Sequence, residues 1–361
     1  MRLTITSVHI DTFVRDNRPP ANQWPELVLD RPELVFPEQL NCTSELLDRH
    51  VTERRGDRLR IRALGGMVWT CVDLAEKANR IAQVPVDDMG LVPSNRVLLR
   101  APDNPMLAAC WFAVMKAGTI AMATMPLLRA EELPQIVDKA KTTHALYDAT
   151  LAEKLVSPVN ACPGLRQIYY FNDGRPNDLE THMARHASHF DTVPTAADDV
   201  CLIAFTLGTT GVPKATMNFD RGVMAMCACW QRYILRPEPD DVFIGTRPLA
   251  FTFGLGGLLL FPIAAGAPTV LLDKAELPQL LEGIKEFGAT ALFTALTSFC
   301  TLLPAVPSCA PRRFASASRQ VRYCPRRAVR CGRRRPAFPF PGIRPVSSTT
   351  TTSTTRHVRP T

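Results

Sequence analysis

The chain has 361 residues, of which 46% are hydrophobic and 21% charged, a composition typical of a globular protein and not of a disordered one. Eleven Cys residues are too few for a disulfide scaffold of this length, and no short repeat indicates a collagen-like or coiled-coil sequence. The net charge of +8 arises in the C-terminal part, because residues 311–361 contain 13 Arg and no Lys, Asp or Glu, whereas residues 1–310 carry 29 basic and 34 acidic side chains.

Helices and strands alternate along the chain from residue 46 onwards. Hydrophobic periodicity and turn residues predict helices over residues 72–84, 104–117 and 130–140, and strands over residues 96–100, 120–124, 144–147 and 200–205. Such alternation is typical of parallel sheets that are covered by helices on both faces. We therefore expect an α/β fold.

The cysteines and one long apolar segment bear on where the protein resides. The Cys residues mostly stand singly in apolar runs, which is typical of buried, reduced thiols in a cytoplasmic protein. Residues 248–272 carry no charge and are long enough to cross a membrane, but Pro262, Pro268 and four glycines interrupt them. We interpret this segment as a buried strand, a short helix and a second strand, and we expect no membrane partner.

A Gly- and Thr-rich segment, FTLGTTGVPK, begins at the end of the strand predicted over residues 200–205. Its glycines allow a tight turn that presents backbone N–H groups to an anion, its Thr hydroxyls are further donors, and its Lys is a compact cation for phosphate oxygens. The segment does not fit the Walker pattern, because Ala215 follows the lysine where that pattern has a metal-binding hydroxyl. An ordinary turn is the alternative, although it does not explain the Pro-Lys pair at this spacing. The candidate phosphate-binding residues are Thr206, Gly208, Thr209, Thr210, Gly211 and Lys214.

This segment resembles the phosphate-binding loop of the adenylate-forming enzymes, which include acyl- and aryl-CoA synthetases, luciferases and the adenylation domains of peptide synthetases. Two further segments are similar to that family, WTCVDLAEKANRIA (69–82) and ACWFAVMKAGTIAMATMP (109–126). The opening HIDTFVRDNRPPANQWPEL (9–27) is most similar to 2-aminobenzoate–CoA ligases, and PLAFTFGLGGLLLFPIAAGA (248–267) resembles a stretch of the benzoate-type ligases.

The resemblance implies a layered α/β fold in which residues 1–310 form part of the large N-terminal, AMP-binding domain of these enzymes. It implies a two-step reaction with ATP and CoA as cosubstrates: a carboxylate attacks the α-phosphate of ATP, and the CoA thiol then displaces AMP. The loop would hold the β- and γ-phosphates, with Lys214 and Thr209 as catalytic residues. The implied acid is aromatic, such as benzoate or 2-aminobenzoate, and its pocket wall would consist of Phe251, Thr252, Phe253 and Gly254.

The chain departs from the family pattern at several positions. Leu207 stands where the family usually has Ser, Arg247 replaces an apolar residue or Pro, and Asn218 and Asp220 lie where benzoate-type relatives commonly have His. Asp220 would bring a negative charge near the triphosphate if it faced the ligand. The family's Mg²⁺-binding Glu, its ribose-binding Asp and its C-terminal Lys have no counterpart in residues 287–361, which contain no Asp, Glu or Lys. We therefore expect a truncated, impaired ligase, and a non-catalytic nucleotide-binding remnant or pseudogene product is the alternative.

Residues 311–361, the Arg-rich tail, have two interpretations. In the reading frame one nucleotide earlier, the codons for residues 313–325 permit SLRKCVSAGEVLP, which resembles the family's continuation and indicates a frameshift. A basic arm that binds nucleic acid is the alternative, but Arg without Lys, mixed with Pro, Ser and Thr, is also what off-frame GC-rich codons produce. We expect a disordered or off-frame tail and no nucleic-acid partner; the coding DNA decides between the two.

Three histidines, His182, His186 and His189, would align on one helix face and could bind a metal. No Cys, Asp or Glu lies between them to complete a site, so we interpret them as a solvated His-rich turn and assign no metal site. Cys227 and Cys229 would not share a face of a helix.

Overall fold

The fold is described from a computed structural model, which describes residues 7–24, 26, 28–128, 131–152, 162–207, 213–295, 298, 313–316 and 320–322. The strands are β1 Leu59–Ala63, β2 Met67–Thr70, β3 Arg96–Arg100, β4 Ile120–Thr124, β5 His144–Asp148, β6 Gln167–Phe171, β7 Val200–Leu207, β8 Pro213–Phe219, β9 Phe243–Gly245, β10 Thr269–Leu271, β11 Ala291–Thr294, β12 Arg313–Ser316 and β13 Gln320–Arg322.

The α-helices are α1 Phe13–Asp16, α2 Arg49–Thr52, α3 Cys71–Gln83, α4 Pro105–Lys116, α5 Glu132–Ala140, α6 Ala149–Ala152, α7 Leu179–Met183, α8 Asp220–Met226, α9 Thr252–Leu255, α10 Phe261–Ala265 and α11 Leu277–Phe287. Shorter helical turns of 3₁₀ type cover Ala21–Gln23 and Pro32–Leu34, and π-type turns cover Ser44–Asp48, Val84–Asp88, Cys227–Leu235 and Gly256–Leu260.

The strands form two mostly parallel sheets. A six-stranded sheet has the order β6-β5-β3-β4-β7-β8, in which all strands but β8 run parallel. A seven-stranded sheet has the order β13-β12-β11-β9-β10-β1-β2, in which only the edge strands β13 and β2 are antiparallel. Parallel strands end at the same edge of a sheet, and we call that side of each sheet its carboxyl edge.

Helices α3 and α4 lie between the two sheets. Val97 and Leu99 of β3 share one apolar cluster with these helices and with Phe243 of the other sheet. On the outer face of the six-stranded sheet, Leu98 packs in a second cluster with α5, and a third cluster joins α11 to the outer face of the seven-stranded sheet. Alternate residues of buried parallel strands thus face different helices, and the layers follow the order helix, sheet, helices, sheet, helix.

The central helix α4 shows how local sequence signals fix an element. The Asn104 side chain caps its first turn by accepting a hydrogen bond from Leu107 N at 2.9 Å, and Pro105 occupies the first helical position. Every residue of the helix is buried, as expected for a helix that is apolar on all sides. The chain leaves the helix through Gly118, whose φ of 66° favours glycine.

Most predicted elements are found with bounds shifted by one or two residues, and those over 96–100 and 120–124 keep their bounds. The first strand expected within residues 248–272 is wrong, since residues 252–265 are helical, whereas the second strand is present as β10. Apolar composition alone does not distinguish a helix from a strand. Small residues in the helical segment allow it to approach β11 closely. A Cβ on Gly257 would lie 2.0 Å from Cδ1 of Phe293.

No helix within the described part of the chain is long and apolar enough to cross a membrane. Regular structure extends beyond residue 310, into the Arg-rich tail. Strand β12 pairs in parallel with β11, and β13 pairs with β12 in antiparallel orientation. These two strands extend the seven-stranded sheet at one edge.

Candidate functional site

Strands β7 and β8 form an antiparallel hairpin whose tip is the Gly- and Thr-rich segment. Thr206 is paired with Lys214 in the hairpin register, and Lys214 is exposed. Gly208, Thr209, Thr210 and Gly211 lie outside the described residues. The stem therefore places the first and last candidate phosphate-binding residues side by side.

The hairpin extends past the carboxyl edge of the six-stranded sheet. Ala121 of β4 pairs with Leu202 of β7, so β4 ends at Thr124 while β7 continues beyond the level of that residue. Helix α5 supports the tip end of the hairpin stem, because Lys139 donates from Nζ to the carbonyl oxygen of Pro213 at 2.7 Å. No local sequence pattern indicates Lys139, since this contact joins residues 74 positions apart.

A network of buried polar side chains fixes the carboxyl ends of the neighbouring strands. Asp148, at the end of β5, accepts hydrogen bonds from Asn104 Nδ2 at 2.7 Å and Asn172 Nδ2 at 2.8 Å. Arg100, at the end of β3, is fully buried and donates to the carbonyl oxygens of Met125, Pro126 and Leu128. Four loops that leave this edge are thereby held against one another.

Asp103 connects this edge to the seven-stranded sheet. Its carboxylate accepts a hydrogen bond from Leu249 N at 2.9 Å, in the segment that follows β9. Burial raises the pKa of Asp103 to about 7, against the effect of the Leu249 hydrogen bond, and the nearby Asp273 carboxylate raises it further. Burial and then Asp148 raise the pKa of Asp273 as well, so three carboxyl groups interact where the two sheets meet. No local sequence pattern indicates Asp103, because its partner Leu249 is distant along the chain.

The four residues proposed for the acid pocket form the start of α9, directly after this connection. Phe251 is 37% exposed and Thr252 is exposed, whereas Phe253 is half-buried. Gly254 is buried, and a Cβ there would lie 2.1 Å from the carbonyl oxygen of Pro248, so only glycine fits.

Phe253 belongs to a cluster of aromatic rings beside β9 and β11. Its centroid lies 5.4 Å from that of Phe293 and 6.5 Å from that of Trp230, and Trp230 stacks on Phe261 at 5.5 Å. Centroid separations of this size are typical of favourable aromatic pairs. Phe253 is thus held by packing, while Phe251 presents part of its ring to solvent.

Asp220 does not face the hairpin tip. It is 1% exposed, and its carboxylate accepts hydrogen bonds from Cys42 N at 2.8 Å and from the Thr195 hydroxyl at 3.2 Å. Burial raises the pKa of Asp220 to about 7. The expected negative charge near a triphosphate is therefore not placed there, because Asp220 begins α8 and turns into the core.

Metal-ligating side chains meet at one point among the described residues. Atoms of Cys42, Cys201 and Asp220 lie within 4.8 Å of one another, and all three residues are buried. The hydrogen bond to Cys201 and burial raise the pKa of the Cys42 thiol, so it is protonated at neutral pH. Because the Asp220 oxygens also have protein donors, the three groups act as a hydrogen-bonded core cluster.

The histidines are not a solvated turn as expected. His182 contacts Asp88 at 2.8 Å and His186 contacts it at 3.3 Å, and the side chains of both are about 15% exposed. Burial alone would raise the pKa of Asp88, but hydrogen bonds from the two histidines lower it. Only His189 is largely exposed. The expectation that Cys227 and Cys229 point to different sides is confirmed, since Cys227 is buried and Cys229 exposed.

A cavity of about 590 Å³ lies away from the hairpin, near the amino ends of β3 and β5. Its lining includes the basic residues Arg96, Lys141 and Arg166. Arg96 pairs with Asp11 and donates to three backbone carbonyls, so it is neutralised within the protein.

Comparison with known proteins agrees with this architecture. The chain is 25% identical over 279 residues to benzoate–CoA ligase of Thauera aromatica, covering 77% of this chain and 53% of that protein. It is 27% identical over 223 residues to anthranilate–CoA ligase of Pseudomonas aeruginosa, covering 59% of this chain and 41% of that protein. The chain thus spans about half the length of the curated relatives it matches.

Solved structures show the same fold. The anthranilate CoA ligase AuaEII in complex with anthranoyl-AMP superposes with a TM-score of 0.70 at 21% identity, over 76% of this chain and 53% of that one. A family model described as AMP-binding enzyme matches residues 47–333. The chain therefore belongs to the family of AMP-binding enzymes.

Proposed function

We propose that this protein is an aryl-CoA ligase that uses ATP and CoA to activate an aromatic carboxylic acid such as benzoate or 2-aminobenzoate. The observation that carries the proposal is the pairing of Thr206 with Lys214 in a hairpin stem beyond the carboxyl edge of a parallel sheet. Ligands of open α/β sheets bind outside the carboxyl ends of the strands.

In the proposed first step, an oxygen of the acid attacks the α-phosphorus of ATP, and the bond from that phosphorus to pyrophosphate breaks. The exposed Lys214 neutralises charge on the β- and γ-phosphates, and the backbone N–H groups and Thr hydroxyls of residues 206–211 hold their oxygens. In the second step the CoA sulfur attacks the acyl carbon and AMP leaves. Catalysis in this scheme rests on positioning and charge neutralisation.

The aromatic acid is proposed to lie beside Phe251 and Thr252, which are exposed at the start of α9. Phe253, packed against Phe293, forms the rigid wall behind them, and a flat ring suits a flat acid. Asp103 holds this segment through Leu249, so it is a positioning residue. The names of the relatives, benzoate–CoA ligase and anthranilate–CoA ligase, support this substrate class.

A non-catalytic nucleotide-binding protein is the second candidate. Residues 287–361 contain no Asp or Glu, so they offer no carboxylate to the Mg²⁺ ion that the family uses with ATP. The described carboxyl groups near the carboxyl edge, such as Asp148 and Asp103, already accept hydrogen bonds from the protein. This candidate predicts ATP binding without adenylation.

Two assays on the 361-residue chain separate the candidates. We expect ATP to raise the melting temperature, by an amount equivalent to about 2.7 kcal/mol at 100-fold excess over Kd. Lys214→Ala should remove most of this effect. Lys141→Ala is the matched control, because Lys141 is an exposed lysine that pairs with Asp138 at the opposite edge of the sheet.

Pyrophosphate release then reports on chemistry. Release that depends on added benzoate or 2-aminobenzoate supports the ligase, whereas ATP stabilisation without release supports the non-catalytic candidate. If ATP stabilises the Lys214→Ala and Lys141→Ala variants equally, the hairpin does not bind phosphate, and this result contradicts both candidate functions.

A further inference from the structure

The starts of three neighbouring strands, β6, β5 and β3, line the cavity of about 590 Å³ at the amino ends of the six-stranded sheet. His144 is the first residue of β5 and is paired in the parallel register with Gln167, the first residue of β6. Each of the three strands contributes its first residue and the residue before it, namely Asn95, Arg96, Thr143, His144, Arg166 and Gln167. We call this space the amino-end cavity.

Arg166 brings an unbalanced positive charge to the amino-end cavity. Its side chain is exposed, and no acceptor for its guanidinium lies among the residues that the structure describes. The other two cations of the lining have partners, because Lys141 Nζ contacts Asp138 at 2.7 Å and Arg96 pairs with Asp11. One positive charge thus remains without a counter-ion, which favours a ligand with a single negative charge.

The ion pair of Arg96 with Asp11 limits the charge of the ligand. Arg96 donates to the carbonyl oxygens of Ala140, Ser94 and Lys141 and to the Asp11 carboxylate, so a single N–H, on Nη2, remains. Burial alone would raise the pKa of Asp11, but the hydrogen bond from Arg96 lowers it, so Asp11 is ionised at neutral pH. Because this carboxylate also lines the cavity, it repels a dianion more strongly than a monoanion.

The neutral polar side chains of the lining indicate what the rest of the ligand is like. The hydrogen bond between His144 Nδ1 and the Thr143 hydroxyl, at 2.7 Å, leaves Nε2 as the ring nitrogen for a ligand. Gln167 Nε2 donates to the Tyr169 hydroxyl at 3.0 Å, which leaves the Gln167 amide oxygen as an acceptor. Hydroxyl groups both donate and accept hydrogen bonds, so a hydroxylated molecule suits these groups better than an aromatic ring does.

We propose that the amino-end cavity is a binding site for a small hydroxylated monocarboxylate, a carboxylic acid with several hydroxyl groups and a single negative charge. Its carboxylate oxygens accept hydrogen bonds from the Arg166 guanidinium and from the remaining N–H of Arg96. Its hydroxyl groups pair with His144 Nε2 and with the Gln167 amide oxygen. The volume of about 590 Å³ lies within the range that is usual for small-molecule sites.

The site is separate from the proposed nucleotide site. The cavity lies at the amino ends of β3, β5 and β6, whereas the hairpin extends past the carboxyl edge of the same sheet. Lys141 has Asp138 as its partner and takes no part in the proposed binding, so it remains a control for ATP binding at the hairpin. Carboxylate binding at the amino-end cavity does not depend on the ligase proposal.

The first test is the melting temperature of the 361-residue chain at pH 7.5 and constant ionic strength, with gluconate as the probe. We expect gluconate to raise it, and glucose, which has hydroxyl groups but no carboxylate, to leave it unchanged. Arg166→Gln should weaken gluconate binding about tenfold or more, because a hydrogen bond to a charged group is lost. Arg58→Gln, the matched control at an exposed arginine before β1, should leave gluconate binding unchanged. In the Lys214→Ala variant, where the hairpin does not contribute, glucose 6-phosphate should stabilise the chain less than gluconate does.

The ring of His144 provides a second readout, which reports on the cavity itself. Burial and the nearby Arg166 lower the pKa of His144. A carboxylate bound to Arg166 offsets that positive charge, so we expect saturating gluconate to raise the pKa of His144 in an NMR titration of the histidine rings, with His144→Gln to assign the signal. No gluconate effect on the melting temperature, an equal effect in the Arg166→Gln and Arg58→Gln variants, stronger stabilisation by glucose 6-phosphate, or an unchanged His144 pKa would each overturn the proposal.

Discussion

Phe251, which precedes α9, and Phe253, within α9, have different roles in the proposed acid pocket. Phe253 is half-buried and contacts the rings of Phe293 and Trp230, whereas Phe251 exposes 37% of its surface. A side chain that is packed on several sides contributes to folding, and one that faces solvent is available to a ligand. We therefore expect Phe253 to contribute mainly to stability and Phe251 to the proposed binding of the acid.

We predict that Phe253→Ala lowers the free energy of unfolding by about 3 kcal/mol, because it leaves a cavity in the aromatic cluster. Phe251→Ala should change that free energy by no more than about 0.5 kcal/mol but should weaken the stabilisation by benzoate in the presence of ATP. Urea unfolding and melting curves measure the two effects. An unaltered benzoate effect in Phe251→Ala would show that this ring does not line the pocket.

At the scale of elements, Asp103 is the contact through which the end of β3 holds the segment after β9. Its carboxyl group is buried and its pKa is about 7, compared with an ordinary value of 3.8. The folded state therefore binds a proton more tightly than the unfolded state does. Between pH 4 and pH 7 the folded protein holds more protons, so the free energy of unfolding falls as the pH rises through this range.

We predict that Asp103→Asn removes this fall in the free energy of unfolding, which is on the order of 4 kcal/mol between pH 4 and pH 8. The amide oxygen can still accept the hydrogen bond from Leu249. Urea unfolding at several pH values measures the slope, and Asp220→Asn is a second test that should reduce the slope in the same sense, because the pKa of Asp220 is also about 7. Equal pH slopes for the Asp103→Asn variant and the unmodified chain would refute the assignment.

The seven-stranded sheet continues beyond residue 310. Strand β12 pairs with β11 in parallel orientation, and β13 pairs with β12 in antiparallel orientation. Removing both strands would leave the backbone groups of β11 unpaired at an open edge. The Arg-rich tail thus contains a short part that belongs to the sheet.

We predict that deletion of residues 311–361 lowers the melting temperature by on the order of 5 °C. Deletion of residues 323–361, which leaves β12 and β13 in place, should not change it. Differential scanning calorimetry of the two truncated chains provides the comparison. Identical melting temperatures would show that the two strands contribute nothing to the sheet.

The sequence predicts local elements better than it predicts the contacts between them. Strand β4 and helix α4 were found because apolar runs are bounded by Asn104, Gly118 and Pro126, whose backbone preferences are strong. The first strand expected within residues 248–272 is wrong, because a mostly apolar segment that is interrupted by glycines and prolines carries neither the helical nor the strand period.

The candidate site was predictable only where its residues are consecutive. The FTLGTTGVPK segment identifies the hairpin tip, and the stem register of Thr206 and Lys214 agrees with it. The contacts of Lys139 with Pro213 and of Asp103 with Leu249 depend on how the layers pack. A single sequence contains no pattern for such long-range pairs.

The attachment of β8 at both ends has a mechanical consequence. Lys139 is bonded to Pro213 at one end of this strand, and Asp220, directly after the other end, is bonded to the backbone of Cys42. A strand tethered twice cannot slide along its neighbour. In the proposed binding mode, a phosphate group bound to Lys214 is therefore kept at a constant height above the sheet by these two tethers.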